Sequence, residues 1–391
     1  MRTVFASIAC LLAVLAATAG SAVAGRHPIM VGAAEDAGKQ GDLLASDAKM
    51  RLASLAGFDA IRLTALWAPG QTELVGNDLL GLANAAQAAS LAGIRVFVSV
   101  YPYGSSVTPL TPTARSQFAS YAASIPRLVP SVRDLIIGNE PNLNRFWMPQ
   151  FTRTGLDAAA SRYLSLLALT YDRLKAAAPG VTVIGGAISP RGGDDPKSSR
   201  PTHSPTAFIR DLGLAYRRSG RKRPVMDWLA FHPYLDSSRL PPTFTHPRST
   251  TISIADYPKL VAALGQAFDG TAQRGRTLPI LYDEFGVQTA AADPLKRSIY
   301  TNEARPSAGD AVDERTQGRY YRQALQLVAC QPTVVGLLFF HVSDESDLDR
   351  WQSGVFYADD TPKSSLPVVR AAAEAARAGT LVKRCRPATG G

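Results

Sequence analysis

The sequence predicts an α/β protein folded as a single-domain (β/α)8 TIM barrel, and three observations carry that prediction. Short apolar runs alternate with longer Ala- and Leu-rich runs along the chain, which is the pattern of βα units and of a parallel sheet. The short runs are rich in Val, Ile, Leu and Phe without polar alternation, as expected of strands buried on both faces. Eight such units fit a chain of 391 residues.

The eight expected strands cover residues 29–33, 60–66, 95–101, 134–138, 181–187, 228–232, 279–284 and 334–342. Helical stretches are expected over 76–92, 156–178, 257–268, 316–328 and 366–378, several of them stopped by Gly or Pro. An open doubly wound sheet is the competing architecture. It would show a Gly-rich phosphate loop after the first strand, where this chain has Glu35-Asp36-Ala37. Two long polar loops, 189–204 after the fifth strand and 288–313 after the seventh, leave the strand tips. They read either as walls of a substrate cleft or as plain surface loops.

Residues 1–24 read as a secretory signal: Arg2, an apolar stretch from Val4 to Ala17, then Ala22-Val23-Ala24 as a small-residue cleavage site. An uncleaved anchor is the other reading, although the stretch is short for a membrane span. The barrel is then expected over 25–380, with a tail over 381–391. Of the three cysteines, Cys10 falls in the signal, which leaves Cys330 and Cys385 as an even pair. In an exported protein such a pair reads as a disulfide tying the tail to the helix before the last strand. Two free thiols are the alternative.

The formal net charge is +10, spread mostly over arginines. The dense run Arg217-Arg218-Ser219-Gly220-Arg221-Lys222-Arg223 reads as a solvated loop or as an attraction for anionic polysaccharide. Nucleic acid is not expected as a partner, because no aromatic-basic motif accompanies the charge. After the signal no segment is long and apolar enough to be transmembrane. The oligomeric state is left open.

Two carboxyls stand out. Ile136-Ile137-Gly138-Asn139-Glu140-Pro141 carries Glu140 at the tip of the fourth strand. Ile280-Leu281-Tyr282-Asp283-Glu284-Phe285-Gly286 carries Glu284 at the tip of the seventh. Barrel enzymes keep their chemistry at strand tips. Two carboxyls there are the minimum equipment for hydrolysing a glycosidic bond, one protonating the leaving oxygen and the other attacking or activating water. Strand neighbours point to opposite sides, so only one of Asp283 and Glu284 is expected to face the mouth. The choice falls on Glu284, with Asp283 turned toward the helices or paired with a base.

With these two sites the chain resembles the retaining glycoside hydrolases of the clan A (β/α)8 superfamily, similar to families 5 and 39, over nearly all of the mature chain. The resemblance implies Glu140 as acid/base and Glu284 as nucleophile. It further implies that Arg62, in Ile61-Arg62-Leu63, keeps the nucleophile ionised and that Asn139 bonds the sugar 2-hydroxyl. His232 and Tyr234, in Phe231-His232-Pro233-Tyr234, match the sixth-strand His-x-Tyr, whose Tyr touches the nucleophile. The chain departs from the family 5 pattern with Tyr101-Pro102-Tyr103 where a His is usual. It also has Phe340-His341-Val342 where a Trp is usual, its own Trp coming later as Trp351.

Trp67, Trp147, Tyr101 and Tyr103 lie near expected strand tips, either to stack on sugar rings or to pack internally. His341, with Asp344 and Glu345, is a candidate for sugar hydroxyls; a Ca²⁺ site is not expected from this spacing. No metal or cofactor is expected. The sum is a secreted, extracytoplasmic retaining glycosidase acting on an oligosaccharide or polysaccharide. The rival readings are a catalytically inactive glycan-binding barrel of the cell surface and a different barrel enzyme, such as a metal-dependent isomerase or an aldolase.

Overall fold

The computed structural model describes residues 27–291, 293–302 and 309–385. The expected signal, Cys10 and the end of the tail lie outside these residues. Eight parallel strands close in chain order, with the last pairing back onto the first. They are β1 (Met30–Ala34), β2 (Ala60–Trp67), β3 (Arg95–Pro102), β4 (Asp134–Ile137), β5 (Thr182–Ile188), β6 (Trp228–Phe231), β7 (Ile280–Phe285) and β8 (Val334–Phe339). All eight expected strands are present, with ends moved by a few residues.

The helices are α1 (Leu43–Leu55), α2 (Gly76–Leu91), α3 (Pro112–Leu128), α4 (Ala159–Ala177), α5 (Pro205–Arg218), α6 (Tyr257–Phe268), α7 (Pro294–Arg297), α8 (Glu314–Val328) and α9 (Leu366–Arg377). Of these, α1, α3 and α5 go beyond the apolar-spacing expectation, and the single turn α7 lies inside the loop expected at 288–313. The start signals of the missed helices are nevertheless local. Asp42, Thr111 and Ser204 each cap a helix by accepting from the N–H three residues on.

Alternation along the strands decides what reaches the mouth. Ala60 of β2 packs inside the barrel with Phe97, Ile136, Ala230 and Leu281. Ile61, Leu63, Ala65 and Trp67 belong to the larger layer between barrel and helices. Arg62, two residues on from Ala60, therefore points inward above that plug. In β7 the alternation breaks. Tyr282 opposes Leu337 and Phe285 opposes Phe339, so β7 carries an extra residue against β8. Such a bulge re-aims side chains: Asp283 follows Leu281 inward by ordinary alternation, and the bulge brings Glu284 to the interior as well.

Cys330, just after α8, is bonded to Cys385 across 55 residues of sequence. Closing a loop of that length contributes about 4 kcal/mol in the chain-entropy model. Cys385→Ser is accordingly expected to lower the urea midpoint of unfolding while leaving the barrel folded, as measured by far-UV circular dichroism. An unchanged midpoint would assign the bridge no stabilising role. The basic run from Arg217 to Arg223 joins α5 to β6 at the end of the barrel opposite the strand tips. Both Arg221 and Arg223 pair there with Asp172.

Candidate active site

A cavity of about 1510 Å³ opens at the strand tips, lined by Arg62, Tyr101, Asn139, Glu140, Tyr234, Glu284, Phe340, His341 and Trp351 among others. Glu140 reaches it through an unusual backbone. Gly138 has φ 100°, and a Cβ there would meet Tyr163 Cε2 at 2.9 Å, so only glycine fits. Glu140 itself has φ 38°, a left-handed conformation that non-glycine residues adopt at a cost and often at functional sites. Its N–H donates to the carbonyl of Ala187 at 2.8 Å, which anchors the tip of β4 to β5.

Below the cavity floor the charged groups form one cluster. Arg62 Nη1 donates to Glu284 Oε1, and Arg62 Nη2 donates to Asn139 Oδ1 at 2.8 Å and to Ser99 Oγ at 3.1 Å. Tyr234 donates its hydroxyl to Glu284 Oε2 at 3.1 Å. His232 Nδ1 lies 3.1 Å from Glu140 Oε1 and 3.5 Å from Glu284 Oε2. Its Nε2 lies 3.4 Å from Asp283 Oδ2, whose other neighbour is Arg62 Nε at 3.5 Å. His232 and Asp283 are fully buried, while Glu140 and Glu284 keep about a seventh of their side chains exposed to the cavity.

Electrostatics follow from this packing. Burial alone would push the His232 imidazole down, but the carboxylates of Glu284 and Asp283 push it up to about 10. Burial would raise Asp283, yet His232 and Arg62 hold it below the usual carboxylate range. Burial together with Glu284 and Glu140 raises the Tyr234 phenol well above its ordinary value, which keeps its hydroxyl a donor.

Glu140, Glu284, Arg62, Asn139 and Tyr234 thus come together, and Tyr101, His341 and Trp351 join them on the cavity wall. Trp351 approaches from the loop after β8, its ring 5.3 Å from Tyr234 and 5.5 Å from Phe340. Four expectations need correction. Trp67 sits at an outward position of β2, fully buried against Phe118. Trp147 is buried against Tyr163 of α4. Tyr103 lies past the tip of β3, 76% exposed, beside a separate small pocket. His232 is no wall residue, since it meets the carboxylates from behind.

Of the two carboxyls grouped with His341 above, Asp344 is turned to other partners, while Glu345 Oε2 stays 3.9 Å from His341 Nε2. Asp344 accepts from the buried Lys363 at 2.7 Å and from Tyr300 at 2.6 Å, and Glu345 accepts from the backbone N–H of Trp351 at 2.9 Å. Among the described residues no group of three or more His, Cys, Asp or Glu could hold a metal ion, and no helix is long and apolar enough to cross a membrane. Of the two readings of Asp283, pairing with basic groups is the one the structure shows, through Arg62 and His232, and Glu284 is the member of the pair that lines the cavity. The bulge that brings Glu284 there leaves no signal in the sequence.

Solved structures show the same architecture. The chain is similar to a family 39 glycoside hydrolase from Bacteroides cellulosilyticus WH2, with a TM-score of 0.62 and 19% identity over 89% of this chain and 64% of that one. The fold is that of glycoside hydrolase barrels. It is also similar to the GH5_18 protein of Streptomyces cattleya, solved with GlcNAc, with a TM-score of 0.61 and 16% identity over 93% and 84% of the two chains. A monomeric beta-xylosidase from Caulobacter crescentus CB15 matches with a TM-score of 0.53 and 16% identity, covering 89% and 68%. The chain therefore spans just under two thirds of the first of these proteins. No protein-family model matches the sequence, and no curated protein does.

Proposed function

We propose that this protein is an exported retaining glycoside hydrolase, with Glu284 as nucleophile and Glu140 as acid/base. The observation that carries this reading is that both carboxyls, from different strands, face one cavity and share His232 Nδ1 at 3.1 and 3.5 Å. Two oxygens on one nitrogen lie at or below the short end of the carboxyl separation of roughly 6.5–9.5 Å with which inverting enzymes accommodate a water. They suit the roughly 5–5.5 Å of retaining enzymes. The expected signal and the Cys330–Cys385 bridge support export.

In the first step Glu284 attacks the anomeric carbon, the bond to the leaving oxygen breaks, and that oxygen takes the proton of Glu140. In the second step Glu140 takes a proton from water, the water oxygen bonds the anomeric carbon, and the ester to Glu284 breaks. Arg62 and Tyr234 hold Glu284 by donating to its two oxygens. Trp351, Phe340 and Tyr101 offer aromatic surface for the apolar faces of a sugar.

The test is hydrolysis of a panel of aryl glycosides and plant, fungal and bacterial polysaccharides. The anomeric proton of the first-formed product is then followed by NMR. Retained configuration is the expected result. Inverted configuration would remove Glu284 from its role, and sugar binding without hydrolysis would favour the inactive glycan-binding barrel.

A further inference from the structure

Asp283 is not needed for double displacement, yet it is a fully buried carboxylate at the centre of the cluster. Neither of its oxygens has an aligned hydrogen bond among the described residues. Its charge is met instead by two contacts, Arg62 Nε at 3.5 Å and His232 Nε2 at 3.4 Å. A buried carboxylate without hydrogen bonds is costly unless cations compensate it.

The geometry fixes which form of His232 fits. A neutral imidazole is a donor at one nitrogen and an acceptor at the other. Here Nδ1 faces the oxygens of Glu140 and Glu284, and Nε2 faces an oxygen of Asp283. A tautomer protonated at Nδ1 would aim the Nε2 lone pair at the Asp283 carboxylate, and one protonated at Nε2 would aim the Nδ1 lone pair at the Glu284 carboxylate; only the imidazolium presents N–H to both anions. Charge balance gives the same answer. With Glu140 holding its proton, the anions of Asp283 and Glu284 match the cations Arg62 and His232, whereas a neutral His232 would leave a net negative charge in the buried cluster. The groups facing the imidazole are Glu140 from β4, Asp283 and Glu284 from β7, and the Tyr234 ring 6.3 Å away. Arg62 from β2 and the Tyr163 hydroxyl from α4 act on it through Asp283.

We infer that Asp283 is a positioning residue that holds His232 as a permanent imidazolium, and that this cation balances the negative charge as it passes from Glu284 to Glu140 during the reaction. The inference rests on the hydrolase reading for its second half only. When Glu284 becomes an ester it loses its charge, and Glu140, having given up its proton, gains one. His232 Nδ1 contacts both oxygens, so the same cation serves both states with no proton moving onto or off the ring.

The sign of the pH effect follows. His232 is charged below its pKa and neutral above it, and Asp283 is one of the charges raising that pKa. Removing the charge by Asp283→Asn lowers the pKa, so the imidazolium is lost at lower pH. The first measurement is the ¹³Cε1 and ¹⁵N NMR titration of His232 in the wild-type protein, which needs no substrate. The expected result is an imidazolium persisting beyond pH 9, with the midpoint falling by at least one pH unit in Asp283→Asn. The second is kcat and KM for a 2,4-dinitrophenyl glycoside, whose departure needs no acid, so that the protonation of Glu140 does not mask the first step. In Asp283→Asn the alkaline fall of activity is expected at least one pH unit earlier, with the loss in kcat rather than KM. A wild-type His232 that titrates near 6.5 overturns the inference, even if the variant does not fold. An imidazolium that persists in a protein cleaving no glycoside upholds the pairing and sinks the hydrolase reading.

Discussion

Glu284→Ala is expected to lower kcat by about 10⁴–10⁶-fold, the range seen when a catalytic nucleophile is deleted, or roughly 5–8 kcal/mol of barrier. The reason is positional. Glu284 Oε1 and Oε2 are fixed by Arg62 and Tyr234 at the cavity floor, so no other described carboxyl on that wall is held in the same way. Truncation leaves a space beside Arg62 that a small anion can enter. Added azide is therefore expected to restore turnover of an activated aryl glycoside, giving a glycosyl azide of inverted configuration. Rate loss would be followed by aryl release and the product by NMR. Activity that survives the substitution would assign the nucleophile elsewhere.

Glu140→Ala is expected to act according to the leaving group. Substrates with poor leaving groups need protonation of the departing oxygen and should slow by about 10²–10⁴-fold, the usual contribution of a positioned acid. A 2,4-dinitrophenyl glycoside needs none, so its first step should survive while the second, deprived of its base, slows. The glycosyl-enzyme then accumulates on Glu284, visible by mass spectrometry as the intact protein plus one glycosyl unit. Azide should here give a product of retained configuration, the opposite of Glu284→Ala. Equal losses for good and poor leaving groups would count against Glu140 as the acid. Its left-handed backbone, tied to Ala187, makes β4 and β5 joint determinants of where the Glu140 carboxyl stands.

How much of this was legible in the sequence depended on which physical signal each part used. The strands were legible because burial on both faces leaves runs such as Leu135-Ile136-Ile137 with no polar interruption. Helix α1 was not, because its buried face is only Ser46, Met50 and Ala53, and α3 was obscured by Pro126 in its interior, whereas α5 carries a regular face of Phe208, Ile209, Leu212 and Tyr216 that was readable. Their caps at Asp42, Thr111 and Ser204 were readable signals left unused.

The placing of Glu140, Glu284 and Arg62 at the barrel mouth was legible because each ends or sits within an apolar run. Trp67 and Tyr101 looked equivalent from their distance to a strand tip. Parity separates them, since Trp67 follows Ile61, Leu63 and Ala65 into the outer layer whereas Tyr101 follows Phe97 and Ser99 inward. The same parity takes Asp283 inward after Leu281 but would turn Glu284 outward, and the bulge in β7 is what brings Glu284 to the cavity. Register irregularities arise between strands and leave no mark in a single one.

The loop after β8 is held by a pair that is distant in sequence but buried together. Lys363 donates to Asp344 Oδ1 and to Thr289 Oγ1, each at 2.7 Å, beneath the turn that presents Trp351. Of the two, burial pushes the Lys363 ammonium down and the Asp344 carboxyl up, so each depends on the other to stay charged. A designer wishing to transplant this aromatic wall onto another barrel would thus have to move the segment from Asp344 through Lys363 as one cassette, together with a hydroxyl at the Thr289 position. A shorter graft ending at Trp351 would carry an orphaned acid into its new host and lose the platform that sets the ring's height over the pocket.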